Sequence, residues 1–192
     1  IGIGFLFAPM LHGAMKYAIG PRREIALRTI FNTVAPLTNP AGAGAQVLGV
    51  YAPELTETHA NALKSFGSKH AFVVHGNDGL DEITTTTTTR VSELANGGVK
   101  TYTLDPTELG IPKAQPEDLI SGTPEENADT IGRLLNGERG PKRDIVLLNA
   151  AAAIVAGGKA GSLEEGLTLA SESIDSGKAL EKLEGLKAKS NE

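Results

Sequence analysis

Residues 75–90 read HGNDGLDEITTTTTTR and place Asp78, Asp81 and Glu82 within five positions of one another. Like charges this close repel, so the turn needs water, a basic partner or a cation to balance it. Neighbouring Asp81 and Glu82 can present oxygens to a hard cation, and Mg²⁺ takes one or two protein carboxylates together with substrate phosphates. The plain alternative is a solvated acidic turn that caps the next element.

A second concentration of charge has the opposite sign. His12, Lys16, Arg22, Arg23 and Arg28 fall within two short segments of helical spacing. A cationic lining suits a carboxylate or phosphate, and arginine offers the bidentate fork. Arg22 and Arg23 are neighbours, so on a helix at most one faces a given site. A solvated helix face is the alternative for any one of them, and His12 fits either a satisfied semi-buried histidine or a ligand contact. His59 and His70 read as surface or strand-start residues, and His75 as a brace for the acidic turn. No two histidines have metal-ligand spacing on one helix, no nucleophile elbow is present, and PAGAGA at 40–45 lacks the Lys-Ser/Thr of a phosphate loop. Asn149 sits in the apolar LLNAAAA and needs a buried partner, which makes it a loop anchor.

These residues must be positioned by the elements around them. GIGFLFAP reads as a short buried strand ended by Pro9. MLHGAMKYAIG has helical spacing, and PRREIALRTIFNTV reads as a helix with Pro21 in its first turn and Ile25, Leu27, Ile30, Phe31 and Val34 on a core face. A breaker-rich loop follows, then QVLGVY as a strand, PELTETHANALKSFG as a helix closed by Gly67, and HAFVVHG as a buried strand. Strand, helix, strand with continuous apolar strands is the signature of a helix-flanked, mostly parallel sheet, that is, an α/β fold. Ligands in such sheets sit beyond the carboxyl ends of the strands, which is where HGNDGLDE falls. The threonines favour extended backbone, so residues 83–94 read as a strand whose hairpin partner is GGVKTYTL, an excursion from the main sheet. The remainder is helical, with capping boxes at Thr123/Glu126 and Ser162/Glu165, a nearly all-apolar helix in RDIVLLNAAAAIVAGG and an amphipathic last helix.

Bulk properties narrow the class. A chain of 192 residues with net charge −5 and no tryptophan is a poor match to a nucleic acid or an anionic membrane. No apolar run reaches the length of a membrane span, and the absence of cysteine suits the cytoplasm. The chain opens inside an apolar stretch with no initiator Met and no leader pattern. It reads as a piece of a longer protein: 1–192 as part of one α/β domain.

Four stretches in order, GFLFAPMLHGAMK, RREIALRTIFNTVAPLTNPAGA, HGNDGLDEIT and LLNAAAA, resemble the anthranilate phosphoribosyltransferase family. The resemblance covers nearly the whole chain. It implies transfer of a phosphoribosyl group from phosphoribosyl pyrophosphate to the amine of anthranilate, with release of pyrophosphate, in tryptophan biosynthesis. The implied fold is that of the nucleoside phosphorylase/phosphoribosyltransferase class. It also implies a helical N-terminal domain and a glycine-rich phosphoribosyl pyrophosphate loop upstream of this chain, and a homodimer. By matching positions it implies Asp81 and Glu82 as Mg²⁺ ligands, Arg22 as the contact to the anthranilate carboxylate, and His12 and Pro36 as residues lining the anthranilate channel. Two departures from the family's pattern, Gly13 for a proline and Ala35 for a glycine, remove no charged group. The alternatives are a pyrimidine nucleoside phosphorylase of the same fold and a non-catalytic, nucleic-acid-binding paralogue. The block at 5–41 opposes the first, and the net charge opposes the second.

Overall fold

The computed structural model describes residues 1–7, 20, 24, 30–39 and 41–191, with the backbone alone for Phe31 and Pro36. A short helix α1 (Ile30–Val34) runs into a 3₁₀ turn at Ala35–Leu37. Then come β1 (Ala45–Gly49), α2 (Leu55–Ser65), β2 (His70–Gly76), β3 (Thr89–Ala95) and β4 (Gly98–Leu104). Four helices complete the described chain: α3 (Pro124–Leu135), α4 (Pro141–Ala156), α5 (Leu163–Asp175) and α6 (Lys178–Ser190).

The strands form one sheet in the order β1-β2-β3-β4. β1 and β2 are parallel, with Ala45 opposite His70 and Gly49 opposite Val74. The hairpin does not leave the sheet but continues it, β3 running antiparallel to both β2 and β4. Its turn is Asn96–Gly97, both at positive φ, the backbone of a two-residue turn whose twist matches antiparallel strands. One of the three described pairings is therefore parallel, and it is the one that carries the acidic turn.

β2 explains why its sequence is apolar at nearly every position. Successive side chains point to opposite faces, and both faces are covered. Ala71 and Val73 pack with Leu48, Ala60, Leu63 and Leu94 beneath α2. Phe72 and Val74 pack with Val91, Leu148, Ala152 and Val155 beneath α4. Behind α4 lies α5. Arg143 of α4 is only 3% exposed, and its Nη2 donates to Asp175 Oδ1 at 2.7 Å and to Ser171 Oγ at 3.1 Å on α5. A buried guanidinium needs such partners.

Helix starts follow the sequence closely. Thr123 Oγ1 accepts from the Glu126 N–H while the Glu126 carboxylate accepts from the Thr123 N–H, a reciprocal box. At α5, Ser162 Oγ accepts from the Glu165 N–H, but Glu165 reaches back to the Gly161 N–H instead.

Three further expectations change. Residues 1–7 form no strand and Phe5 is 75% exposed, because no described strand pairs with them. Ile30 and Val34 are exposed, so the core face expected of that helix is not buried among the described residues. The strand after the acidic turn begins at Thr89, not at residue 83. Hydroxyls of the preceding threonines bond to the loop itself, and such local bonds compete with a sheet ladder.

Asn149 anchors a loop, as its apolar setting in the sequence predicts. Its Oδ1 accepts from the Ile83 N–H at 3.0 Å, and its Nδ2 donates to the Ile83 carbonyl at 2.8 Å and to the Ile145 carbonyl at 2.9 Å. One side chain thus pairs both main-chain groups of the residue that follows the acidic pair. Asn149→Ala should cost on the order of 2–4 kcal/mol in denaturant unfolding, since it strands a buried N–H and a buried carbonyl. Asn149→Asp should not recover the loss, because it keeps the acceptor, removes both donors and faces two carbonyls with a charge. A loss under about 0.5 kcal/mol for Asn149→Ala would show that the clamp is dispensable.

Candidate functional site

The acidic turn leaves the carboxyl end of β2, beside the carboxyl end of its parallel neighbour β1. Gly76 closes the strand, its N–H donating to the Leu80 carbonyl at 2.8 Å, and Gly79 takes φ +95° to reverse the chain. The three carboxylates of the turn then part company.

Asp78 turns inward. One carboxylate oxygen, Oδ2, accepts from the hydroxyls of Thr84 and Thr86, each at 2.5 Å, and Oδ1 accepts from the Leu80 N–H at 3.1 Å. Burial pushes its pKa up, but hydrogen bonds from Thr84, Thr86 and the backbone outweigh burial and hold it below the usual carboxylate value. Further threonines lock the same loop: the Thr84 N–H donates to Thr89 Oγ1 at 3.0 Å, and Asn77 Nδ2 donates to Thr88 Oγ1 at 2.7 Å. The hexa-threonine run is the donor set that ties down Asp78 and the turn.

The Asp81 and Glu82 side chains take no hydroxyl from this run, and they border different cavities. Asp81 lines a polar cavity of about 240 Å³ with Asn32, Tyr51 and His59. Glu82 lines a mainly apolar cavity of about 360 Å³ with Leu80, Ile145, Val146 and the cation Lys142. Burial pushes the Glu82 carboxyl up, and the negative charges of Asp81 and Asp78 push it further. The smaller, charge-derived part of that shift is the repulsion implied by the sequence.

Among the described residues no group of three or more His, Asp or Glu side chains could hold a metal as an all-protein cage. With Asp78 committed to threonines, the turn offers two carboxylates. By number and charge alone, two carboxylates suit a cation that brings phosphate and water ligands with it, the habit of Mg²⁺, and not one that needs a full protein shell.

The expected organic-ligand residues are only partly visible. His12 and Arg22 lie outside the described residues, and Pro36 has its backbone in the 3₁₀ turn after α1. That segment is pinned to α2 and to the chain just past β1 by contacts the sequence did not announce. His59 is 1% exposed rather than on the surface. Its Nε2 lies 2.8 Å from the Thr33 carbonyl and its Nδ1 lies 2.9 Å from the Leu55 carbonyl. Thr33 Oγ1 also meets Tyr51 Oη at 3.1 Å. The helical spacing of Thr56, His59, Ala60 and Leu63, all buried on α2, is the signal that would have placed His59 inside. His75 braces the chain just past the end of β1 and not the acidic turn, with Nδ1 2.7 Å from the Val50 carbonyl.

Glu82 makes a pH-dependent prediction. Its pKa in the folded chain lies above the usual 4.5, so between those two values the unfolded chain ionises first and stability falls as pH rises. Glu82→Gln should therefore raise the melting temperature of the metal-free chain at pH 7. The gain should shrink as pH falls and vanish below about 4.5. A pH-independent gain, or a loss, would contradict the electrostatic account.

Comparison with known proteins identifies the family and its fold. The family model described as "Glycosyl transferase family, a/b domain" matches residues 1–180. An anthranilate phosphoribosyltransferase from Desulfosudis oleivorans is 59% identical over 187 residues, covering 97% of this chain and 55% of that protein. The crystal structure of the anthranilate phosphoribosyltransferase from Thermus thermophilus aligns with a TM-score of 0.87 at 45% identity, over 96% of this chain and 55% of that one. A Saccharomyces cerevisiae anthranilate phosphoribosyltransferase in complex with PRPP and Mg aligns with a TM-score of 0.81 at 31% identity, over 91% of this chain and 51% of that one. The chain spans about half the length of the curated relatives it matches. On the extent of the family match, the chain belongs to the glycosyl transferase family, of which it carries the α/β domain.

Proposed function

We propose that this chain is the α/β catalytic portion of an anthranilate phosphoribosyltransferase, transferring the phosphoribosyl group of phosphoribosyl pyrophosphate to the amine of anthranilate in tryptophan biosynthesis. The observation that carries the reading is the acidic turn at the parallel strand ends. Two of its carboxylates are left for a phosphate-borne cation, in a chain 59% identical to a relative of that name. Residues 1–192 then supply one side of the active site. An upstream portion supplies the phosphoribosyl pyrophosphate loop and a helical N-terminal domain, and the whole acts as a cytoplasmic homodimer.

In this reading Asp81 and Glu82 hold Mg²⁺ on the pyrophosphate. When bound, Mg²⁺ neutralises charge that builds on the leaving group. The chain's own residues orient the substrates. Arg22 grips the anthranilate carboxylate as a bidentate partner, His12 and Pro36 line the channel, and the amine is held in line with the anomeric carbon. Such a displacement asks the protein for orientation and electrostatic stabilisation more than for a strong base.

The activity is tested by following the loss of anthranilate fluorescence with phosphoribosyl pyrophosphate and Mg²⁺. The assay uses this chain joined behind the upstream portion of the Desulfosudis oleivorans relative. Asp81→Asn with Glu82→Gln should lower turnover by orders of magnitude while the fold survives. Near-normal rates at limiting Mg²⁺ would remove the metal assignment.

Arg22→Ala in the same protein should raise the anthranilate KM roughly tenfold to a hundredfold, the loss of about 2–3 kcal/mol expected of a charged bidentate contact. The phosphoribosyl pyrophosphate KM should change little, and Arg22→Lys should recover only part of the loss. Arg23→Ala is the control. If it damaged anthranilate binding and Arg22→Ala did not, the assignment would be displaced by one residue.

A further inference from the structure

Two glycines close the two parallel strands, and each is filled by a different part of the acidic turn. A Cβ built on Gly49, the last residue of β1, would stand 1.5 Å from the Asp81 carbonyl oxygen, 2.5 Å from its carbonyl carbon and 3.3 Å from its Cα. A Cβ on Gly76, the last residue of β2, would stand 2.5 Å from Asp78 Oδ1 and 3.1 Å from Thr84 Cγ2. Neither glycine has a positive φ. Backbone conformation therefore does not call for glycine at either place, and close approach does.

We propose that Gly49 and Gly76 are positioning residues for the metal carboxylates: Gly49 seats the main chain of Asp81 against β1, and Gly76 seats the Asp78 carboxylate that anchors the turn. The proposal rests on the reading that Asp81 and Glu82 hold a divalent cation.

The two contacts differ in kind, and the difference sets the expected effects. At Gly49 the intruding group is main chain, fixed on one side by the sheet and on the other by Asn149, which holds both main-chain groups of Ile83. A methyl group there drives the Asp81 carbonyl back by about 2 Å to reach ordinary contact. At Gly76 the intruding atom is the end of a side chain. Asp78 can turn away, but only by giving up the Leu80 N–H or the two threonine hydroxyls. Both substitutions act on where the carboxylates stand, not on their number or charge.

The experiment uses the 192-residue chain with Mn²⁺ in the presence of inorganic pyrophosphate as the probe, read as paramagnetic broadening of backbone amide signals. In the wild type, the Asp81, Glu82 and Ile83 signals should broaden first. In Gly49→Ala the midpoint should move to at least about tenfold higher Mn²⁺, the scale on which residues that orient metal ligands act. The amide shifts of residues 80–83 should move while those of α3, α5 and α6 stay in place. Gly76→Ala should raise the midpoint by a smaller factor, and Gly98→Ala, whose Cβ would meet nothing closer than 3.7 Å, should leave it unchanged. If Gly49→Ala loses its amide dispersion altogether, Gly76→Ala carries the test alone. No broadening at residues 81–83 of the wild type overturns the metal reading. Wild-type broadening with an unshifted midpoint in the folded glycine variants overturns the positioning role and leaves the metal reading standing.

Discussion

The arrangement depends on how three carboxylates in five residues are kept from repelling one another out of place. The structure resolves this by giving Asp78 to the protein. Its two oxygens accept two hydroxyls and a backbone N–H, charge-assisted bonds of the stronger kind. The turn is thereby tied to the threonine run, and that run to β3. Asp81 and Glu82 are then held by main chain alone: by Ile83 in the grip of Asn149 and by the close approach of Asp81 to Gly49. Their side chains are left unspent.

Such a site needs a rigid floor, and β2 supplies it. Because both of its faces are covered, α2 fixes one side of the turn's base and α4 the other. Asn149 belongs to α4, so the helix that covers the sheet also holds the loop. His59 belongs to α2 and meets the Thr33 carbonyl, so the other covering helix holds the segment that leads to Pro36. The two layers of the core and the two sides of the candidate site are the same pair of elements. A shift of either helix over the sheet would move one set of site residues relative to the other.

Sequence patterns locate the elements well where one physical rule acts alone. The uninterrupted apolar run of β2, the Thr123 box and Asn149 in its apolar helix each have a single reading, and the structure follows it. They fail where two rules compete. Threonine's preference for extended backbone places a strand at residues 83–88, but the Asp78 carboxylate draws those hydroxyls into the loop. Spacing alone groups Asp78 with Asp81 and Glu82, since a count of carboxylates does not show which one is already satisfied. His59 looks like a surface residue by type, although its helical neighbours are core. Gly49 is invisible for a simpler reason. What it admits is the main chain of a residue 32 positions later, and no local pattern records a long-range close approach.

Glu82 shows why the site is tense rather than merely acidic. Solvent-exposed but bordering Leu80, Ile145 and Val146 and facing two like charges, it sits where its carboxyl is pushed toward the neutral form. A carboxylate kept in such a place lowers the stability of the metal-free chain and is relieved by any cation that arrives. The repulsion is thus stored in the folded state by the rigid sheet and the Asn149 clamp, which stop the loop from relaxing. In the proposed reading, a cation that carries its own phosphate ligands would discharge it without a third protein carboxylate. On the proposed reading, the commitment of Asp78 elsewhere costs the site nothing, because two carboxylates suffice where phosphate oxygens would complete the shell.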